Sequence, residues 1–171
     1  MKLDNAIRVA LEYEAGVHRT YLEAMEKVSD KAAKRVFEVL CEEERSHLAY
    51  LRDRLDEWQQ TGKIHVKKLG TSIPSRQAIE KSLKDLGKTV KPKPTRQIPE
   101  LELLKKALDA EEKATAFYKE MVATLDNEGQ AMFKRFVEIE EGHQAIVQAE
   151  IDSLGHWGFW FDTPEFRLEM E

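Results

Sequence analysis

The chain has 171 residues, 35% of them charged and 42% hydrophobic, with a formal net charge of -5. That length suits one domain with a substantial core, and the mildly acidic balance excludes a basic nucleic-acid-binding face. No apolar stretch approaches the roughly 20 residues needed to span a bilayer, and the charges at Asp4, Arg8, Glu12 and Glu14 make a signal peptide unexpected. The single cysteine, Cys41, excludes an intramolecular disulfide and a Cys₄ metal module, and a reducing, cytoplasmic setting is expected.

With only 8 Gly and 5 Pro, the composition favours long amphipathic helices over sheet. In chain order, Ile7, Ala10, Leu11, Val17, Tyr21 and Met25 recur at helical spacing from about Asp4 to Val28. Ser29 and Asp30 supply a turn and an N-cap. Phe37, Leu40, Leu48, Leu51, Leu55 and Trp58 mark a second helix, which Gly62 is expected to end. The stretch from about 62 to 98 is rich in glycine, proline and lysine. It is expected to hold a short helix from about Ser75 to Leu86, with the Lys91–Pro94 segment extended. Pro99 is well placed as the first residue of a third long helix, with Glu100 and Glu102 in its first turn. Asp126 and Asn127 form the next turn. A fourth long helix carries Phe133, Phe136, Val137, Ile146, Val147, Ile151 and Leu154, with Gly155 and Gly158 closing it. An aromatic tail, 158–171, is expected to pack over the bundle or a dimer mate.

The pattern predicts an all-α domain: hairpin 1 (about 4–61), a long crossover connection (about 62–98) and hairpin 2 (about 99–157). A connection of that length is unusual in a compact domain unless it runs the length of a four-helix bundle. The hairpins also repeat one another. Glu14 and Tyr21 align with Glu111 and Tyr118, and after a one-residue shift in the first turn Phe37, Glu44 and His47 align with Phe133, Glu140 and His143.

Glu44-Arg45-Ser46-His47 and Glu140-Glu141-Gly142-His143 are both Glu-x-x-His. Positions i and i+3 share a helix face, so a carboxylate and an imidazole can serve one metal or two adjacent ones. Glu14 and Glu111 interrupt otherwise apolar stripes. Ser29 lies midway between Glu14 and Glu44, and Asp126 close to midway between Glu111 and Glu140. In antiparallel hairpins all four glutamates therefore fall in one layer, roughly 22 Å from the tips at 1.5 Å per residue. Four buried carboxylates cost several kcal/mol each without cations, and two divalent ions would balance them. Carboxylate and imidazole ligands without thiolate suit iron, with manganese or zinc as alternatives. Glu42, Glu43 and Glu141 are expected to be solvated surface charges, and Cys41 a small core residue. Glu150 is expected in a salt bridge or in solvent. His18, near the face of Glu14, is a side candidate for a further ligand.

These residues resemble the rubrerythrin-like branch of the ferritin-like superfamily: Glu14 with Tyr21, Glu44-x-x-His47, Glu111 with Tyr118, and Glu140-x-x-His143. The resemblance implies a ferritin-like four-helix bundle holding two iron ions. Glu44 and Glu140 would bridge or chelate them, Glu14 and Glu111 would be terminal ligands, and His47 and His143 would each bind one metal. Tyr21 and Tyr118 would hydrogen-bond to ligands, while their helical spacing fits plain core aromatics equally well. It implies an oxidoreductase that reduces hydrogen peroxide or oxygen; a homodimer is expected, since nothing in the sequence argues for a cage. The alternatives are a ferroxidase handling iron and a non-catalytic metal-binding or iron-sensing module. The chain departs from the family twice. It lacks the rubredoxin-like Cys₄ site, so electrons must come from a separate donor such as a rubredoxin-like protein. It also carries Ala114 where rubrerythrins have an additional glutamate, which puts ligand exchange in doubt.

Overall fold

A computed structural model describes residues 1–91, 99–158 and 160–161. Five helices, and no strand among the described residues, follow one another: α1 (Leu3–Lys27), α2 (Lys31–Thr61), α3 (Arg76–Thr89), α4 (Pro99–Thr124) and α5 (Asn127–His156). Their boundaries have local causes. Asp30 caps α2 by accepting a hydrogen bond from the Ala33 amide at 2.9 Å, and Ser75 caps α3 by accepting one from Ala78 at 3.3 Å. Gly62 ends α2 at φ 69°, a left-handed conformation that costs glycine nothing. Pro99 opens α4, where its missing N–H is no loss. At the end of α5, Gly155 lies inside the helix. The stop comes later, where the Trp157 and Gly158 amides both donate to the Ser153 carbonyl, with Gly158 at φ 75°.

α1 packs along α2, and α4 along α5. The short turns make each pair antiparallel. α1 also packs against α4 and runs opposite to it: Lys106 pairs with Glu23 at 2.9 Å, while Phe117 stacks on Tyr13 at 5.2 Å. The apolar faces meet in one core, where Phe37, Phe133, Phe136, Tyr21, Tyr118, Leu40, Leu51 and Leu104 are fully buried. α3 is different. Its only buried residue is Ile79, and it lies on α5 as an outer layer.

The segment between α2 and α3 doubles back along α2. Arg54 of α2 donates to the His65 carbonyl, Tyr50 to Lys67 at 2.8 Å, and Glu43 receives bonds from Thr71 and Ser72. Arg135 of α5 donates to the Leu69 carbonyl at 3.0 Å. Trp160 packs on Phe37 at 6.2 Å and Phe161 is buried, so this start of the aromatic tail lies on the bundle. The expectations for Pro92 to Pro94, for Phe159 and for the tail from Asp162 onward lie outside the described residues. No helix among the described residues is long and apolar enough to cross a membrane.

Candidate metal centre

Each of the four long helices places one glutamate of the set in the core, and α2 and α5 add a histidine one turn further on. Glu14, Glu44, His47, Glu111 and His143 are 0% exposed and Glu140 1%, so the six share a site closed to solvent. They form two overlapping quartets. Glu14, Glu44, His47 and Glu140 bring one ligand atom each within 4.8 Å of one another, and so do Glu44, Glu111, Glu140 and His143. Glu44 and Glu140 belong to both. The imidazoles stack at 5.2 Å with planes 7° apart.

Each tyrosine serves the opposite hairpin: Tyr21 donates to Glu111 Oε1 and Tyr118 to Glu14 Oε1. Phe136 packs edge-on against His47 at 5.4 Å, and Phe37 lies 6.3 Å from Tyr21. This wall keeps water away and the local dielectric low.

The donor set fits metal ions. His143 Nδ1 lies 2.9 Å from Glu44 Oε1 and 3.4 Å from Glu140 Oε2. His47 Nδ1 lies 3.0 Å from Glu140 Oε1 and 3.3 Å from Glu44 Oε2. Yet both oxygens of Glu44, Glu140 Oε1, Glu111 Oε2 and His143 Nδ1 lack any hydrogen-bond partner, although buried. Buried polar atoms are almost always hydrogen-bonded. Donor atoms crowded together without hydrogen-bond geometry are what cations between them would organise. The set has two nitrogens, several carboxylate oxygens and no sulfur, which suits iron or manganese. This is a buried Glu/His group able to hold metal ions.

Without a cation the carboxylates compete for protons. Burial, then the charges of Glu14 and Glu140, push Glu44 well above the usual carboxylate range. Burial and Glu140 raise Glu111 to about 8. Burial alone would depress both imidazoles, but the surrounding carboxylates outweigh it, Glu44 and Glu140 at His47 and Glu140 at His143, and hold both well above their ordinary value. Burial would likewise raise Glu140, but His143 and His47 overcome it and hold that carboxyl well below its usual range. Burial and the neighbouring glutamates push both tyrosines up, so they remain protonated donors.

Several neighbours differ from the sequence reading. Glu43, expected in solvent, is half-buried: it accepts from Thr71, from the amide and hydroxyl of Ser72, and faces His143 Nε2 at 3.4 Å. Burial would raise its carboxyl, but these bonds hold it down to about 2. The cause is the returning connection, which covers a face of α2 that periodicity assigns to water. Glu150, expected in a salt bridge or in solvent, is fully buried and accepts from the Phe161 amide at 2.8 Å. Glu42 is exposed beside Arg45, and Glu141 pairs with Lys119 at 2.9 Å, both as surface charges. His18 belongs to neither quartet. Cys41 is buried and free. The position of the additional family glutamate is Ala114, fully buried, next to Thr115, whose hydroxyl donates to the Glu111 carbonyl at 2.9 Å and accepts from Gln144. That small network was missed. The i to i+4 spacing of Thr115 after Glu111 was its only sequence signal.

Residues 1–55 match the rubrerythrin family model. The resemblance to rubrerythrins therefore holds over the first hairpin, where Glu14, Tyr21, Glu44 and His47 all lie. No curated protein and no solved structure matches the chain. The match ends at residue 55; beyond it, Glu111, Tyr118, Glu140 and His143 repeat Glu14, Tyr21, Glu44 and His47 of the first hairpin.

Proposed function

We propose that this chain is a di-iron oxidoreductase of rubrerythrin type that reduces hydrogen peroxide or oxygen, on a ferritin-like bundle of two hairpins joined by a crossover. The observation that carries the reading is the pair of overlapping quartets sharing Glu44 and Glu140. Bound there, two iron ions would supply the two electrons that, with two protons, convert hydrogen peroxide to two waters.

The chain's own residues prepare that chemistry. Glu14 and His47 would hold one ion, Glu111 and His143 the other, and Glu44 and Glu140 both. Tyr118 and Tyr21 fix one oxygen of each terminal glutamate; the other oxygen of Glu14 faces His47 Nδ1 at 3.1 Å, and that of Glu111 has no hydrogen-bond partner. The tyrosine hydroxyls keep their protons inside the closed site. A cavity of about 510 Å³, lined by Glu38, Glu42, Glu43, Ser46 and Ser72, opens beside the carboxylate that faces His143 and offers a small oxidant an approach. Cys41 alone cannot form a rubredoxin-like centre, so electrons would reach the site from outside these 171 residues. The reading also carries the expectation of a cytoplasmic homodimer.

Anaerobic Fe(II) titration, followed by mixing with peroxide or oxygen under a visible spectrum, tests this. Two irons per chain and faster oxidation by peroxide than by oxygen are expected, both lost in Glu44→Ala and Glu140→Ala. Faster reaction with oxygen and accumulation of ferric mineral would favour iron handling instead. Binding without reaction would leave a metal-binding or sensing module.

A further inference from the structure

The repeat makes the two Glu-x-x-His segments equivalent, but their surroundings are not. Glu43 precedes the first, and its counterpart before the second is Ile139, a buried apolar residue. Both histidines turn Nδ1 toward the glutamates. His143 Nε2 then faces Glu43 Oε2 at 3.4 Å, whereas buried His47 Nε2 has no hydrogen-bond partner. A histidine that binds metal through Nδ1 carries its proton on Nε2. A carboxylate there fixes the tautomer, orients the ring and raises its basicity. Glu43 lies within 4.8 Å of a ring nitrogen of each histidine, but only His143 is within hydrogen-bond reach of it.

Glu43 is itself held from outside α2. Thr71 donates to Oε2 at 2.6 Å, and the amide and hydroxyl of Ser72 donate to Oε1 at 3.0 and 2.7 Å. The connection reaches this position because Gly142, inside the second Glu-x-x-His, leaves room. A Cβ there would lie 3.0 Å from the Pro74 carbonyl oxygen. The connection thus closes on the His143 side of the site.

We propose that Glu43 is a positioning residue that makes the two metal positions unequal. Anchored by Thr71 and Ser72, it holds His143, so the position served by His143 and Glu111 binds a divalent ion more tightly than the one served by His47 and Glu14. This rests on the metal-site reading above. It adds that the ions load in order and that the connection takes part in the order.

The test is a Co(II) titration of the stripped full-length chain, followed by calorimetry and by the visible absorption of the bound ion. The wild type should bind two ions in separable steps, the first at least about tenfold tighter. His143→Ala should remove the tight step and His47→Ala the weak one. Glu43→Leu should weaken the tight step by about 10- to 100-fold and leave the weak one within about twofold, while Glu43→Gln, which keeps an acceptor, should restore most of the difference. Should Glu43→Leu fail to fold, Thr71→Val with Ser72→Ala loosens the anchor from outside the helix and should narrow the gap between steps. Two equal steps in the wild type, equal weakening of both in Glu43→Leu, or an unchanged gap in the double variant would overturn the proposal while sparing the metal site. No Co(II) binding at all would overturn both.

Discussion

Two layers of buried charge occupy this bundle, and they handle the charge differently. In the first, Glu14, Glu44, Glu111, Glu140, His47 and His143 crowd together with several oxygens and two nitrogens unsatisfied. In the second, two turns further along α2 and α5, Arg54 and Glu150 occupy equivalent positions of the repeat and each takes a backbone partner. Arg54 donates to the His65 carbonyl and pairs with Glu57 at 2.8 Å, and Glu150 accepts from the Phe161 amide. One layer pins the connection and the tail. The other turns its donors on one another. Burial of a carboxylate is therefore not the mark of a ligand. What sets the first layer apart is that its buried carboxylates have other donors of the same kind as neighbours, the arrangement able to hold a metal ion.

The comparison can be broken by experiment, and the largest effect concerns metal. At a free ion concentration of 100 Kd, binding should stabilise the wild type by about 2.7 kcal/mol. Glu44→Ala should abolish that gain, and Glu150→Leu should keep it, as read by denaturant unfolding with and without metal. In the stripped protein the order reverses. Glu44 is held protonated by burial and its neighbours, so its neutral isostere in Glu44→Gln should change stability by less than about 1 kcal/mol. Glu150→Leu leaves the Phe161 amide without its acceptor and should cost about 1–3 kcal/mol. If both glutamates respond alike, the two layers are not different.

Acidity sharpens the contrast. Glu111 is raised to about 8 against an unfolded value of about 4.3, so the folded stripped protein holds a proton the unfolded chain releases. Its contribution is fully present below about pH 4.3 and lost as pH rises to about 8. His47 and His143, also raised, add stability below about 6.5 that is lost through their higher folded values. The melting temperature of stripped protein in chelator should therefore fall from pH 5 to pH 8. Metal loading at pH 7 should release protons into weak buffer, and apparent affinity should rise with pH. Smaller still, Tyr118→Phe should cost about 1 kcal/mol of stability. His18→Ala should leave metal stoichiometry unchanged, as read by elemental analysis.

Much of the molecule was legible because its signals are local. Asp30, Ser75, Gly62 and Pro99 mark helix ends through caps, a left-handed stop and a missing donor. Glu44-x-x-His47 and its repeat, with Glu14 and Glu111 at matching distances from the turns, predicted which side chains come together. What failed was what depends on the irregular segment. Nothing periodic in residues 63–75 says that they return along α2, so Glu43 read as a surface charge. Glu150 failed for the same reason, since its partner is a backbone amide in the tail and backbone amides leave no trace in a pattern of side chains.

The crossed tyrosines order events during folding. Tyr21 reaches Glu111 and Tyr118 reaches Glu14, so neither hairpin completes its own half of the site. Each hairpin has its contacts close in sequence and can form quickly, while the pairing of α1 with α4 must wait for the intervening chain to close. An ion captured by one hairpin alone would meet a glutamate without its tyrosine. The complete donor set, tyrosines included, therefore exists only where the two hairpins have docked, and an ion bound there would hold residues of both together.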